Sequence, residues 1–372
     1  MMKTCLKLIT ILSVFPLLTG CWDQKLILNS EVINGISFDL KDNKIKSTIV
    51  VLQIIPKGSG YFDFNNQLSS ATGDSLDDTF SELRMYHRGP LSASKSRIIL
   101  FGESFAKKNL NSYLDLFYRN PDPYLGSKVA IVKGLEASKI FSFKEIGTDP
   151  IAFGLYEIID AAEENSTIPE GNLNTLFSLF NEAGKDFILP VLEQKGDGIL
   201  VSGAGLISQN AYSGKMIQLN NCSLLLLLMD NYEKKVDLLT YLSEEKKLNN
   251  QVSYRITKAK RKINIQKDAF HKPVVNLKLD LEVGLKQYPK TSNITPKQLK
   301  KLQTTISNDL TKRSNHIMKT TQKANSDVLG IGQRIKETDP GTWQSLDWKE
   351  TYPSIKINTH VNVKIVKTGI IK

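Results

Sequence analysis

Residues 275–285, VNLKLDLEVGL, decide the fold of the second half of this chain. Apolar side chains occupy every second position of this stretch: Val275, Leu277, Leu279, Leu281, Val283 and Leu285. A period of two residues predicts a β-strand with one face in the core and the other in water. Residues 355–365 repeat the pattern, and strands that are half exposed in this way favour an antiparallel sheet.

The segment between these two strands predicts a long helix. Thr295 is a suitable N-cap, Pro296 suits the first helical position, and Gln298 completes a capping box. An apolar stripe with helical spacing follows, made of Leu299, Leu302, Ile306, Leu310 and Ile317. We therefore predict that residues 196–372 form a C-terminal α+β domain in which this helix packs on a mainly antiparallel sheet.

The first half of the chain alternates between strand-like and helical patterns. Strands are indicated at residues 33–40, 45–55, 97–101 and 128–132. Helices are indicated at residues 75–86 (with Asp74 as N-cap), 104–118, 151–164 and 173–183. We predict an N-terminal α/β region over residues 21–195, of one or two subdomains, and a multidomain α+β fold overall. The glycine-rich stretch at residues 196–198 marks the predicted boundary.

The N-terminus is typical of a lipoprotein precursor. Lys3 and Lys7 form a basic region, residues 8–18 are mostly apolar, and Leu18-Thr19-Gly20-Cys21 has the residue order of a lipobox. The apolar run is about half of the ~20 residues that a transmembrane helix needs. Residues 1–20 are therefore predicted to be a cleaved lipoprotein signal peptide. The alternative is an ordinary signal peptide that happens to contain a cysteine.

A diacylglyceryl lipid on Cys21 would hold the mature chain to a membrane. Each buried CH₂ of an acyl chain contributes ~0.8 kcal/mol, and two chains are enough for stable attachment. The longest later apolar run, Leu224–Met229, is too short to span a bilayer, so we interpret it as buried core. Loss of Lys3 and Lys7 with the signal peptide lowers the formal net charge from +11 to +9 and leaves Cys222 as the one free thiol.

Few residues suggest catalysis or metal binding. The histidines, at positions 87, 271, 316 and 360, are not spaced to share a metal. Gly203-Ala204-Gly205 and Gly330-Ile331-Gly332 lack the third glycine of a dinucleotide loop, and we interpret them as a strand end and a helix cap. We predict no catalytic residue, no metal site and no cofactor, and hence a protein that is not an enzyme.

One set of motifs resembles that of the penicillin-binding serine acyl-enzymes. Ser92-Ala93-Ser94-Lys95, Tyr118-Arg119-Asn120 and Lys367-Thr368-Gly369 occur in the order found there. The nucleophilic serine of such enzymes begins a helix, so that the lysine one turn later reaches its hydroxyl. Ser92 instead leads directly into the strand-like residues 98–100, which disfavours this interpretation.

A basic cluster needs a separate explanation. It consists of Arg255, Lys258, Lys260, Arg261 and Lys262. Nucleic-acid binding does not suit a lipoprotein that faces outward. Attraction to anionic lipid, at ~1 kcal/mol per cation near the surface, is one interpretation. The other is a solvated edge strand whose lysines prevent pairing with another chain.

Several further motifs form a signature when they are taken in chain order. They are Gly20-Cys21-Trp22-Asp23, Asn34-Gly35-Ile36-Ser37-Phe38-Asp39, Arg97-Ile98-Ile99-Leu100-Phe101-Gly102, Asp327-Val328-Leu329-Gly330-Ile331-Gly332, Trp343, Asp347-Trp348 and Tyr352-Pro353. Together they resemble the Ger(x)C family, the C-subunit lipoproteins of spore germinant receptors. They extend over essentially the whole mature chain. Two stretches depart from the family pattern: residues 24–26, where an acidic residue is common, and residues 204–207, which lack the usual aromatic ending.

The resemblance implies a non-enzymatic subunit of a nutrient germinant receptor. Family members are held on the outer leaflet of the spore inner membrane and act with polytopic A-type and B-type subunits. The resemblance transfers lipidation to Cys21, and it transfers Trp22 and Asp23 as a motif of unknown role. Because Trp favours the interface, we expect this motif near the bilayer. Direct contact with a nutrient stays open, and a free-standing solute-binding lipoprotein on the outer membrane face is the alternative.

Overall fold

The computed structural model describes residues 31–58, 61–119, 125–233, 235–243, 250–269, 272–289 and 294–368. Its strands form one nine-stranded sheet, one four-stranded sheet and a small two-stranded sheet. Helices cover both faces of the nine-stranded sheet and one face of the four-stranded sheet. The α+β class predicted from the sequence is confirmed.

The nine-stranded sheet has a parallel centre and antiparallel flanks. Its strands are β1 (Glu31–Lys41), β2 (Lys44–Gly58), β3 (Tyr61–Gly73), β4 (Leu91–Ser92), β5 (Ile98–Gly102), β6 (Lys128–Lys133), β9 (Ile188–Lys195), β10 (Gly198–Ser208) and β11 (Ala211–Gln218). The spatial order is β11-β10-β9-β6-β5-β1-β2-β3, with β4 beside β1. Strands β1, β5, β6 and β9 run parallel to one another. The short strands β7 (Glu145–Ile146) and β8 (Asp149–Pro150) pair separately.

Six helices pack against this sheet. They are α1 (Leu76–Met85), α2 (Glu103–Ala106), α3 (Leu110–Arg119), α4 (Ala137–Ile140), α5 (Ile151–Glu164) and α6 (Leu173–Phe180). One face carries α1, α2, α3 and α6, and the other carries α4 and α5. Because the central strands are covered on both faces, every residue of β5 is buried, as the continuous apolar run predicts.

The ends of two helices differ from the prediction. Ser75, and not Asp74, caps α1, because the Ser75 hydroxyl accepts the backbone N–H of Asp78 at 3.1 Å. Helix α6 ends at Phe180, three residues before the predicted end. The chain then turns through Gly184, whose φ of +79° lies in the left-handed region that glycine adopts without steric cost.

The single helix predicted at residues 104–118 is two helices, α2 and α3, separated by residues 107–109. The backbone N–H of Leu110 donates to the carbonyl of Asn210 at 2.8 Å, in the turn between β10 and β11. In a continuous helix this N–H would bond to a carbonyl four residues earlier. A bond to a distant turn therefore interrupts a helix that the local pattern favours.

The four-stranded sheet lies in the C-terminal half. Its strands occur in the order β12 (Asp237–Tyr241), β13 (Gln251–Lys267), β14 (Pro273–Gln287) and β15 (Lys356–Lys367). The predicted helix is α8 (Pro296–Lys323), and its capping box between Thr295 and Gln298 is present. Strand β15 runs parallel to β14, while the other two pairs are antiparallel. The predicted mainly antiparallel sheet is thus confirmed, and α8 is the crossover that a parallel pair requires.

Short helices and a buried apolar helix complete this half. Helix α7 (Leu219–Met229) contains the apolar run at 224–229, and Leu224–Leu228 are at most 1% exposed, as predicted for core. After α8 come α9 (Ile331–Thr338), α10 (Pro340–Ser345), α11 (Trp348–Thr351) and a 3₁₀ turn at Tyr352–Ser354. Among the described residues, no helix is long and apolar enough to cross a membrane.

Of the two glycine fragments, at residues 203–205 and 330–332, one lies where the sequence predicts and the other does not. Gly330 is the N-cap of α9 with a φ of +66°, so the predicted helix cap is confirmed. Gly203 and Gly205 lie inside β10 and not at a strand end, so that prediction is wrong. The reason is close packing: a Cβ on Gly203 would lie 2.1 Å from the carbonyl oxygen of Ile217 on the neighbouring strand.

The predicted domain boundary falls in the turn between β9 and β10, which are paired strands of one sheet. A single apolar cluster also joins residues of β9, β10 and β11 to the C-terminal sheet and its helices. The first sheet therefore uses residues from both sides of the division. The boundary at residues 195 and 196 stays a prediction.

Candidate functional site

The three site residues predicted from the sequence lie outside the described part of the chain. Cys21, Trp22 and Asp23 precede Glu31, the residue at which β1 begins. Lipidation of Cys21 and the role of the Trp22-Asp23 motif stay predictions. The remaining family motifs are described, and the structure gathers them around two buried carboxylates.

The first of these carboxylates is that of Asp39, near the end of β1. Its Oδ1 accepts the backbone N–H of Ala137 at 2.7 Å, and its Oδ2 accepts that of Ser138 at 2.9 Å. These are two of the unpaired donors at the start of α4. Burial raises the pKa of the Asp39 carboxyl, and the two backbone bonds oppose that rise. Gly102 lies against it, since a Cβ there would be 2.1 Å from Oδ1 of Asp39.

The second carboxylate is that of Asp327, which begins the motif at residues 327–332. Its Oδ1 accepts the backbone N–H of Ile331 at 3.0 Å, and its Oδ2 accepts that of Gly332 at 2.8 Å. Oδ2 also accepts the indole N–H of Trp348 at 3.2 Å. The side chain therefore caps α9 and positions Trp348, two parts of the signature that are separated in sequence.

Asp186 joins this cluster to the first sheet. Its carboxylate accepts the backbone N–H groups of Asp327 at 2.8 Å and of Gln209 at 3.0 Å. Its own backbone N–H donates to the carbonyl of Asp327 at 2.9 Å. Burial raises the pKa of Asp327 to about 7, with a further rise from the nearby charge of Asp186. Burial also raises the pKa of Asp186.

Glycines and aromatic rings complete what we name the Asp186–Asp327 junction, which consists of Gly184, Asp186, Asp327, Gly332, Trp343 and Trp348. The carbonyl of Gly184 accepts the backbone N–H of Gln333 at 2.7 Å. A Cβ on Gly332 would lie 2.5 Å from Nε1 of Trp348. The Trp348 ring packs against Trp343, with 6.0 Å between ring centroids. Both oxygens of Asp327 are engaged by N–H donors, so this arrangement is suited to fixing backbone segments together.

Comparison with known proteins assigns both halves of the chain. Residues 23–194 match the spore germination protein N-terminal domain. Residues 202–369 match the family described as spore germination B3/GerAC like, C-terminal. The chain belongs to the GerAC family of spore germination proteins. The Ger(x)C resemblance inferred from the motifs is thereby confirmed, and the family is one of germination receptor subunits and not a known family of enzymes.

Individual GerAC-family relatives support this assignment. The chain is 24% identical over 368 residues to spore germination protein GerQC of Bacillus cereus, and the match covers 98% of each chain. It is 25% identical over 218 residues to spore germination protein A3 of Bacillus subtilis (strain 168), covering 56% of this chain and 57% of that protein. The crystal structure of the GerBC protein has the same fold, with a TM-score of 0.58 and 16% identity over 89% of this chain and 97% of that chain.

Two members of the junction were missed by reasoning from the sequence of this GerAC-family chain. Gly184 and Asp186 lie in an irregular segment between α6 and β9, where a glycine and an acid predict only a solvated turn. The signal that could have singled them out is the apolar Phe187-Ile188-Leu189 directly after Asp186. An acidic side chain next to a buried strand needs hydrogen-bond donors. One donor to Asp186 is the backbone N–H of Asp327, 141 residues later in the chain.

The acyl-enzyme motifs of the penicillin-binding type are not assembled as such an enzyme requires. Ser92 ends strand β4, and its hydroxyl lies 2.9 Å from that of Ser94. Residues 93–97 contain one turn, at residues 94 and 95, and not the helix on which a lysine would reach the serine. Gly369 of the third motif, and Asn120 of the second, lie outside the described residues. Within the described part of the chain, no three His, Cys, Asp or Glu side chains are grouped to hold a metal ion.

A cleft of about 590 Å³ lies where α7, α8 and β12 meet, and Arg313 is on its wall. The guanidinium of Arg313 is engaged by protein acceptors. Its Nε donates to Oδ1 of Asn221 at 2.8 Å, its Nη1 to the Leu239 carbonyl at 2.9 Å, and its Nη2 to the Asn220 carbonyl at 2.6 Å. Arg313 thus joins three elements, and its donors are used for structure and not for an anionic solute.

The basic cluster lies on β13, where its cations have different surroundings. Strand β12 pairs only with Gln251–Arg255, so the later part of β13 has β14 on one side alone. Lys258, Lys260 and Lys262 are exposed on the solvent face of this part. Arg261 is half-buried, and its Nη1 donates to the carbonyl of Leu228 at 3.0 Å. This placement matches the edge-strand interpretation, since lysines there discourage pairing with another chain.

Proposed function

We propose that this chain is the membrane-anchored C subunit of a spore nutrient germinant receptor. A diacylglyceryl lipid on Cys21 holds it to the outer leaflet of the spore inner membrane. It acts without catalysis, through protein–protein contacts with the polytopic A-type and B-type subunits. Its α+β body supplies a rigid surface beside these partners.

The observation that carries this proposal is the match to GerQC of Bacillus cereus over 98% of both chains, which includes the region of the lipobox. The described motifs support a scaffolding role. Asp39 and Asp327 use their carboxylates to hold backbone segments together. The family signature is therefore explained by the architecture of the subunit and does not require a reaction.

Replacement of the lipidated residue tests the proposal. In a spore-forming host, we expect Cys21→Ala to release the protein from the membrane fraction and to abolish germination with the nutrient that this receptor senses. The reason is that Cys21, the first residue after the predicted cleavage site, is the acceptor of both acyl chains, and one chain alone anchors only marginally. Membrane fractionation and the loss of optical density during germination are the measurements.

The matched control is Cys5→Ala, which changes the same residue type inside the signal peptide and upstream of the lipobox. This variant should fractionate and germinate like the wild type. A Cys21→Ala strain that keeps both membrane retention and the nutrient response would refute the proposal.

The alternative is a free-standing solute-binding lipoprotein, and thermal unfolding in the presence of nutrients separates it from the proposal. Such a protein would show a ligand-dependent rise in melting temperature in the isolated chain, because a ligand at 100 times its Kd adds about 2.7 kcal/mol of stability. No rise in melting temperature across the nutrients to which the spores respond would count against it.

A further inference from the structure

The hairpin of β2 and β3 projects beyond the N-terminal end of β1. Strand β1 pairs with β2 only as far as Ile33 opposite Val51. Beyond that pair, β2 continues for seven residues to Gly58 and pairs there with the first part of β3. At ~3.3 Å per residue, the hairpin extends roughly 23 Å past this point. We name its outer part, residues 53–58 and 61–65, the hairpin tip.

Exposed apolar side chains concentrate on this hairpin. Among the described residues, nine large apolar side chains are exposed, and four of them belong to β2 and β3. They are Ile55 at 44%, Tyr61 at 75%, Phe64 at 53% and Leu68 at 41%. Isolated exposed apolar residues are ordinary, but a group on one projecting element marks an interaction surface.

Two further exposed apolar residues lie at the same end of the molecule. Met85 and Tyr86, at the end of α1, are 79% and 61% exposed. The next residue, His87, forms a hydrogen bond through Nδ1 with the carboxylate of Glu31 at the start of β1. The exposed apolar side chains at the end of α1 therefore lie, like the hairpin, at the end of the sheet where β1 begins.

The direction of the hairpin relates it to the predicted anchor. Because β2 is antiparallel to β1, its outer end lies beyond the N-terminal end of β1, the end at which the chain from Cys21 joins the strand. Glu31 is ten positions after Cys21, and an extended chain spans at most about 3.6 Å per position, or roughly 36 Å. That reach exceeds the projection of the hairpin tip, so a lipid on Cys21 and the tip can reach one bilayer together.

We propose that the hairpin tip inserts its apolar side chains into the interfacial layer of the membrane that holds the lipid anchor. Tyr61 suits this layer, because its ring is apolar and its hydroxyl can stay hydrated. At the tip, Lys57 and Asp63 neutralise each other in an ion pair of 2.7 Å, which lowers the cost of bringing charges close to lipid. The chain would then have two membrane contacts, the acyl chains and the hairpin, and these would fix its orientation beside the receptor. This inference rests on the proposed anchor at Cys21.

The test uses the chain from residue 21 onward with Cys21→Ala and a hexahistidine tag at its N-terminus. The tag binds vesicles of phosphatidylcholine, phosphatidylglycerol and a nickel-chelating lipid, so the tether does not depend on natural lipidation. A cysteine at Tyr61→Cys carries the environment-sensitive fluorophore NBD. Cys222 does not compete for the label, because it is fully buried and burial raises its pKa to about 12.

The matched control is Asp74→Cys, just past the opposite end of β3 and roughly 43 Å from Tyr61 at ~3.3 Å per residue. We expect NBD at position 61 to shift to the blue on vesicles and to be quenched by nitroxide-labelled lipid several-fold more than NBD at position 74. Adding Ile55→Ser and Phe64→Ser to the Tyr61→Cys chain should reduce that quenching to the level of the control. Circular dichroism before and after these changes verifies the fold.

Equal quenching at positions 61 and 74 would overturn the inference. A response at position 61 that occurs only when the vesicles contain polytopic receptor subunits would also overturn it, since the hairpin tip would then contact protein and not lipid. Normal germination of the Cys21→Ala strain would refute the proposed anchor but leave this measurement intact, because the nickel lipid supplies the tether.

Discussion

At the scale of single residues, the structure explains why two positions of the family motifs are glycine: a polar side chain lies against the backbone at each. Gly102 leaves room for the carboxylate of Asp39, and Gly332 leaves room for the indole of Trp348. The carboxylate of Asp39 accepts the backbone N–H of Ala137, and the indole N–H of Trp348 donates to the carboxylate of Asp327, so a displaced chain would lose these bonds. The family motifs therefore contain glycines where a polar side chain lies close to the backbone, in addition to residues of the apolar core.

We expect Gly332→Ala to lower the free energy of unfolding by about 1–3 kcal/mol, as overpacking of a buried site does. The added Cβ would lie 2.5 Å from Nε1 of Trp348 and 2.9 Å from the carbonyl oxygen of Gly184, and neither belongs to a flexible side-chain end. Urea unfolding followed by tryptophan fluorescence measures the change.

Gly126→Ala provides the comparison, because a Cβ at that position meets nothing within 4 Å. It should change the free energy of unfolding by no more than about 0.5 kcal/mol. Equal stability of the Gly332→Ala variant and the wild type would show that the junction can shift to admit a side chain.

At the scale of elements, α8 protects an edge that would otherwise be open. Strand β15 is the last strand of its sheet, and the backbone N–H groups on its free side are bonded by side chains of α8. The donors are those of Thr359, Val361, Val363 and Ile365, and the acceptors are Oδ1 of Asn315, Oγ1 of Thr311, Oγ of Ser307 and Oε1 of Gln303. Covering an edge with a helix prevents pairing with another chain.

Thr311→Val tests this arrangement with little change in shape. The variant leaves the N–H of Val361 without the acceptor that it has at 3.0 Å, in a residue that is fully buried. An unsatisfied buried donor costs about 1–3 kcal/mol, and we expect the free energy of unfolding to fall by that amount. The free edge should also promote self-association, which light scattering would detect.

Thr304→Val is the matched substitution on the same helix. Thr304 is exposed, and its hydroxyl donates only within the helix, to the Lys300 carbonyl at 3.1 Å. Its loss should change stability by less than about 0.5 kcal/mol. If the two variants unfold alike, the bonds between α8 and β15 do not stabilise the edge.

The Asp186–Asp327 junction acts at the scale of the whole molecule, because it joins the nine-stranded sheet to the helices of the C-terminal half. Its carboxylates are buried, and the pKa of Asp327 is raised to about 7 against an ordinary value of 3.8. Between these values the unfolded chain binds fewer protons at this position than the folded one. The stability that the protonated group contributes is therefore complete below pH 3.8 and is lost as the pH rises through about 7.

We expect the free energy of unfolding of the wild type to contain a component that falls between pH 5 and 8, with a slope of at most about 1.4 kcal/mol per pH unit for one proton. Asp327→Asn cannot ionise and should lack this component, so the stability difference between variant and wild type should shrink as the pH rises. Urea unfolding at a series of pH values measures it.

Asp237→Asn serves as the control for that series. The Arg255 guanidinium and the Lys286 ammonium hold the pKa of Asp237 at about 2, so it stays ionised throughout this pH range and should not alter the slope. A slope that persists unchanged in Asp327→Asn would show that another group causes it.

Local signals in the sequence determined much of this protein. Alternation of period two specified β14 and β15, and the capping box with its apolar stripe specified α8. The continuous apolar runs predicted strands covered on both faces, as β5 shows. The motifs also identified the family, because their residue types and order persist along the chain. Each of these signals can be read within a short segment, and the family signature is a series of such segments.

Only the tertiary structure decided how distant segments meet. The helix predicted at residues 104–118 is divided into two, because the backbone N–H of Leu110 donates to the carbonyl of Asn210. The tertiary structure made β15 parallel to β14, and it placed Asp186 against Asp327 across 141 residues. It also revealed a hairpin whose exposed apolar residues lie beyond the N-terminal end of β1. A hydrogen bond between remote segments leaves no periodicity in either one, so these features depend on the packed chain and not on local pattern.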